Sequence, residues 1–140
     1  QVGRWQDNKR LLLDTVALNP AHYQAHLGLS DIYLTEGNEL KAAEHYLEII
    51  KHTPAFAPAY AGLGKIPFDL GHFERAEHFF RMAYERDSND WLATLGLART
   101  MAQLGKLEEA QSLLTDAIAK GVRNSNVLQA ELDRVRALER

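Results

Sequence analysis

The sequence contains no cysteine in its 140 residues, which excludes a disulfide framework, a thiolate-bound zinc or iron–sulfur site and a thiol nucleophile. It has no apolar run of the length a bilayer requires, and its opening Gln1-Val2-Gly3-Arg4-Trp5 lacks the apolar centre of a signal peptide. Direct membrane insertion is therefore not expected and the chain reads as soluble. A lack of cysteine suits cytoplasm and periplasm equally, so the compartment stays open. Positive charge is also scarce: 16 Lys and Arg stand against 19 Asp and Glu, a net charge of -3. Such a balance supplies no polybasic face for a phosphate backbone, and nucleic acid is not an expected partner. Gly-rich phosphate loops, a nucleophile elbow and a His-Glu-x-x-His pair are all missing, so the sequence points to no catalytic residue, no metal and no cofactor.

What the chain does have is a repeat. Glycines recur at Gly3, Gly37, Gly71 and Gly105, each 34 residues after the last, a period typical of stacked supersecondary units. Ahead of the later three run Leu29-Ser30-x-x-Tyr33, Leu63-Gly64-x-x-Pro67 and Leu97-Ala98-x-x-Met101, each placing its side chains on one helical face. After them come quartets spaced 3, 4, 3, namely Leu40-Ala43-Leu47-Ile50, Phe73-Ala76-Phe80-Ala83 and Leu107-Ala110-Leu114-Ala117. Trp5-Asn8-Leu12-Thr15 is a fainter copy. Alternating large and small residues suit close helix packing. Gly71 and Gly105 fit helix-ending positions of positive φ, and Pro20 and Pro54 mark two junctions, with Ser88 and Val122 at the equivalent places. The first quartet starts at Leu40 rather than at the residue 34 before Phe73, which predicts a turn one residue longer after Gly37. The likeness of Ala43-Glu44-His45-Tyr46 to Ala76-Glu77-His78-Phe79 supports that shift.

The columns Leu29/Leu63/Leu97, Ser30/Gly64/Ala98, Tyr33, Gly37/Gly71/Gly105, Ala43/Ala76/Ala110, Leu47/Phe80/Leu114 and the junction prolines resemble the tetratricopeptide repeat. The resemblance covers essentially the whole chain. It implies an all-α fold, a right-handed α-solenoid of antiparallel helix hairpins with about eight helices. Residues 1–20 form the second helix of a truncated repeat, 21–54, 55–88 and 89–122 are complete repeats, and 123–140 is a capping or partial-repeat helix. A chain that begins inside a repeat is expected to be an excerpt of a longer one. Departures from the family pattern are Pro67 and Met101 at an aromatic position, and His26 and Thr94 at a large apolar one. Pro67 is expected to kink its helix, since it lacks an N–H and crowds the carbonyl of Leu63.

In the resembled family the concave wall, lined by the first helix of each pair, commonly holds a segment of a partner protein. The matching positions here are Gln24, Leu27, Asp31, Leu34 and Thr35 in the first repeat, Pro58, Ala61, Lys65, Phe68 and Asp69 in the second, and Leu92, Leu95, Arg99, Ala102 and Gln103 in the third. Lys65 and Arg99 beside apolar neighbours suit a protein or peptide segment with acidic and apolar residues. Some members clamp a C-terminal carboxylate with Lys, Asn and Arg, but the corresponding positions are Leu27, Asp31, Gly62, Leu92 and Gly96, none of them a cation or amide. The resemblance thus implies a non-catalytic interaction module, an adaptor or assembly scaffold. The alternative is a regulatory or substrate-recruiting region of a larger enzyme or of an envelope secretion or assembly machine. End-to-end self-association through Trp5, Leu12 and Val16 of the truncated repeat is a further expectation. His22 and His26 are four apart, a spacing that suits a metal, but no third ligand has a place beside them.

Overall fold

A computed structural model describes residues 2–139, with side chains from residue 3. The described residues form eight helices: α1 (Val2–Leu18), α2 (Tyr23–Thr35), α3 (Glu39–His52), α4 (Ala57–Asp69), α5 (Phe73–Arg86), α6 (Trp91–Gln103), α7 (Leu107–Ala119) and α8 (Ser125–Ala137). Each packs on the next, and α6 also touches α4 and α8, so the pairs stack as an α-solenoid. Gly37, Gly71 and Gly105 close α2, α4 and α6 with φ of 78°, 81° and 80°. At each closure the N–H two residues past the helix cap bonds back to a helix carbonyl, as His72 does to Pro67 at 2.8 Å. Gly3 differs from its periodic companions, because it lies inside α1.

The helices keep strict 34-residue register, and the longer turn expected after Gly37 is absent. Asn38, His72 and Lys106 are the N-caps of α3, α5 and α7. Asn38 accepts a hydrogen bond from Lys41 N at 3.1 Å, which fixes the start of α3 at Glu39. The buried residues of α3 are consequently Ala42, Tyr46 and Ile49, in step with Ala76, Phe80 and Ala83 of α5. Leu40 and Leu47, expected inside, are 72% and 54% exposed. Glu39 stands where Phe73 and Leu107 stand in the later repeats, and that polar substitution disguised the register.

A second glycine column explains how the repeats nest. A Cβ at Gly62 would meet the Tyr46 ring at 2.3 Å, and one at Gly96 would meet the Phe80 ring at 2.3 Å. At Gly28 the corresponding neighbour is Leu12, at 3.1 Å. The bulky residue of each second helix thus sits against a bare backbone on the first helix of the next pair. Leu12 and Val16 of α1 accordingly pack half-buried against the core rather than standing without a partner.

In the column His26, Tyr60 and Thr94, two residues make the same hydrogen bond. Tyr60 Oη donates to the Pro54 carbonyl at 3.0 Å, and His26 Nε2 lies 2.8 Å from the Pro20 carbonyl, in each case six residues back. His26 replaces a larger side chain because its ring nitrogen reaches the same junction carbonyl. Thr94, buried in the third repeat, donates instead to Asp90 O at 3.0 Å. His26 Nδ1 lies 2.9 Å from His45 Nδ1 on α3, where one of the two ring nitrogens donates to the other. The His45 ring stacks on Tyr33 with centroids 5.5 Å apart. His45 is half-buried.

Pro67 does not interrupt α4, which has the same 13 residues as α2 and α6. It stands in the last turn, where its own carbonyl accepts from Leu70 and His72. In α8, Leu128, Leu132 and Val135 are buried as the pattern requires. Leu138 is exposed and Glu131 is buried, the reverse of what an apolar stripe ending at Leu138 predicts. Glu131 is held there by Arg99 across the helix interface, at 2.8 Å.

Candidate functional site

The first helices of three successive pairs enclose an open concavity of about 450 Å³. Helix α2 contributes Leu27 and Asp31, α4 contributes Ala61, Lys65, Phe68 and Asp69, and α6 contributes Leu95 and Arg99. These eight sequence-predicted residues come together as the walls of one groove. Gln24, Leu34, Thr35, Ala102 and Gln103 lie outside it. Leu34 packs into the core with Tyr33 and Tyr46, and Thr35 Oγ1 donates to the Asp31 carbonyl at 3.0 Å, while Gln24 and Gln103 are exposed elsewhere on their helices.

Pro58 and Leu92, from the same predicted columns, complete the walls. Tyr46 and Phe80, absent from those columns, reach in from the second helices α3 and α5 through the gaps left by Gly62 and Gly96. Their signal in the sequence was the glycine column itself, Gly28/Gly62/Gly96, which repeats at 34 residues. Asp90, the N-cap of α6, lines the same space and accepts from Leu92 N at 3.1 Å.

Charge is distributed differently from the expected column of Asp31, Lys65 and Arg99. Lys65 Nζ pairs with Asp69 at 3.0 Å along its own helix. Arg99 Nε pairs with Glu131 at 2.8 Å, and Glu131, only 4% exposed, also has Arg134 at 3.4 Å. Both groove cations are thus matched within the chain. Asp31 is different: partial burial raises its carboxyl above the usual carboxylate range, with no cation opposing the shift. Burial raises Asp90 as well, and the backbone N–H groups of Leu92 and Ala93 offset this only in part. Burial, reinforced by the nearby charge of Asp31, pushes the Tyr46 phenol up to about 12.

His22 and His26 do not face one ion. His22 Nδ1 accepts from Ala25 N at 3.2 Å to cap α2, while His26 is engaged with Pro20 and His45. Among the described residues no three His, Cys, Asp or Glu side chains are grouped to hold a metal. No described helix is long and apolar enough to cross a membrane.

Helix pairs stacked at a 34-residue period, closed by positive-φ glycines and forming a groove from their first helices, define a helical-repeat protein. Family models for the tetratricopeptide repeat match residues 1–61 and 68–132, and the chain belongs to that family. Among solved structures, the first such domain of Spaghetti (RPAP3), bound to an HSP90 peptide, is 19% identical. The match covers 84% of this chain and 96% of that one, with a TM-score of 0.74. A thermophilic repeat protein of Thermus thermophilus is 19% identical with a TM-score of 0.76, over 99% of this chain and 76% of that one. PilF of Pseudomonas aeruginosa gives 0.81 at 19% identity, over 99% of this chain and 63% of that one. No curated protein sequence matches significantly.

Proposed function

We propose that this chain is a non-catalytic interaction module that holds a peptide or helix segment of a partner protein in its groove, as an adaptor or assembly scaffold. The observation that carries the reading is the groove itself: an apolar floor of Tyr46 and Phe80, walls from three consecutive helices, and a volume of about 450 Å³, within the range of ligand-holding clefts. Structurally similar domains hold an HSP90 peptide in RPAP3 and an HSP70 peptide in yeast Sti1, which supports peptide binding as the kind of activity. The same chaperone tails are not the expected ligand. Leu27, Asp31, Gly62, Leu92 and Gly96 stand where a carboxylate clamp needs cations and amides, and Asp31 repels a terminal carboxylate.

Random-peptide display on the chain tests this reading. Selected peptides should bind wild type at least tenfold more tightly than the charge-neutral variant Ala61→Gln/Leu92→Gln, which roughens and fills the groove while both chains retain the same circular dichroism spectrum. Equal binding to the two would move the site off the groove and sink the reading. Arg99 is left intact in this comparison because its loss strips buried Glu131 of its nearest partner.

A further inference from the structure

We infer that the groove recognises a basic segment of its partner, one in which lysines or arginines stand next to a large apolar residue, with Asp31 and Asp90 each offering a carboxylate to a cation and the Tyr46–Phe80 floor receiving the apolar side chain. The inference rests on the groove being the binding site, as proposed above, and it reverses the acidic partner that Lys65 and Arg99 suggest when read as a column.

Charge matching decides the sign. The groove is lined by three carboxylates, Asp31, Asp69 and Asp90, and by two cations, Lys65 and Arg99. Asp69 neutralises Lys65 and Glu131 neutralises Arg99, so each cation already has its counter-charge in the folded chain. An incoming carboxylate would have to compete with those contacts. Among the described residues no cation pairs with Asp31 on the α2 wall or with Asp90 at the head of the α6 wall. Both are raised by burial, so each carries a desolvation cost that an arriving cation relieves. The Asp90 carboxylate lines the groove and accepts from Leu92 N, which leaves further acceptor positions on its two oxygens.

The floor sets the second requirement. Gly62 and Gly96 carry no side chain, and the rings of Tyr46 and Phe80 stand directly behind them. A segment crossing the groove therefore meets aromatic surface flanked by Leu92 and Leu95, beside the unmatched carboxylates. A guanidinium or ammonium near Asp31 also comes near the Tyr46 ring, on which the Asp31 charge already acts, and a cation over an aromatic face gains further attraction. Apolar contact supplies affinity here, while the carboxylates set orientation and exclude acidic competitors.

Peptides selected from a random display library on the wild-type chain are the probe. They are expected to be enriched in Lys or Arg beside Leu, Ile, Phe or Trp, and to bind Asp31→Asn/Asp90→Asn at least tenfold more weakly, while Lys65→Gln binds them as tightly as wild type or more so. Asparagine is as good an N-cap as aspartate, so the double variant keeps the start of α6 and its melting curve verifies this. Raising salt should weaken binding to wild type and leave the double variant nearly unchanged. Peptides that are acidic, or that bind wild type and Asp31→Asn/Asp90→Asn alike while still being lost on Ala61→Gln/Leu92→Gln, overturn the charge assignment and leave the groove as the site. Peptides indifferent to Ala61→Gln/Leu92→Gln, or no selected peptide at all, remove the groove reading and this inference together.

Discussion

Single atoms decide how the repeats meet. An added methyl at Gly62 or Gly96 lands 2.3 Å from an aromatic carbon, a distance at which the ring or the helix must move. The Phe80 ring is itself confined on its other side by Gly64, whose Cβ would meet it at 3.0 Å. Gly62→Ala and Gly96→Ala are each expected to cost about 1–3 kcal/mol, the usual range for overpacking a dense interior. Gly28→Ala meets only the flexible tip of Leu12 at 3.1 Å and should fall within about 0.5 kcal/mol of wild type, since helix propensity offsets the contact. Urea denaturation of the three variants measures this. A midpoint for Gly28→Ala as low as that of Gly96→Ala would show that ring rigidity is not what distinguishes the positions.

Between elements, the α2–α3 joint contains a titratable contact. Burial first, and then the charge of His26, lower His45 below its ordinary value of 6.5. Glu44 and Glu48 on α3 partly oppose this, Lys41 adds to it, and from α2 the Tyr33 ring faces His45 with Lys9 of α1 above it. A histidine depressed in the folded state leaves the unfolded chain holding more protons, so stability rises with pH through that window. The contribution is complete above the ordinary histidine value and is lost as pH falls below it. The melting temperature should therefore drop between about pH 7.5 and pH 5.5, and His45→Gln, which retains a hydrogen-bond partner for His26 Nδ1, should flatten the slope. An unchanged slope in His45→Gln would place the pH dependence elsewhere. Asp31 and Asp90 act in the opposite sense at lower pH: being raised, they favour the folded state as pH falls toward the carboxylate range.

The elements also show what sequence could and could not say. Helix order, the αL glycines and the packing columns of α5 and α7 followed from period and residue size alone. The register of α3 did not, because Glu39 broke the apolar quartet and Leu40 offered a false start, while the capping bond from Asn38 that fixes the register involves one side-chain oxygen. The groove was legible as a set of columns, yet its charge was not. Which carboxylate neutralises which cation depends on contacts such as Arg99 with Glu131, 32 residues apart and on different helices. No local spacing reveals such a pair.

For the whole molecule, the first helix presents an open apolar face at the end of the stack. Leu18 and Leu11 share one face of α1 and are 89% and 64% exposed. Exposed apolar rows of this kind favour association, and end-to-end pairing of two copies through α1 follows as a proposal. Sedimentation equilibrium should then show a mass that rises with concentration, and Leu11→Lys/Leu18→Lys should return it to that of a monomer. A monomer mass at every concentration for wild type rules the pairing out.

The glycine sockets have a consequence for how the chain can be lengthened. The residue that leaves one repeat, Tyr46 or Phe80, and the bare backbone that receives it, Gly62 or Gly96, are the two halves of one standard joint. Splicing in a second copy of residues 55–88 would set the first copy's Phe80 against the second copy's Gly62, a smaller plug than Tyr46 in the same opening. The second Phe80 would still find Gly96. The result is a protein with one more rung and a longer groove, assembled like a ladder from interchangeable parts rather than redesigned from its core outward.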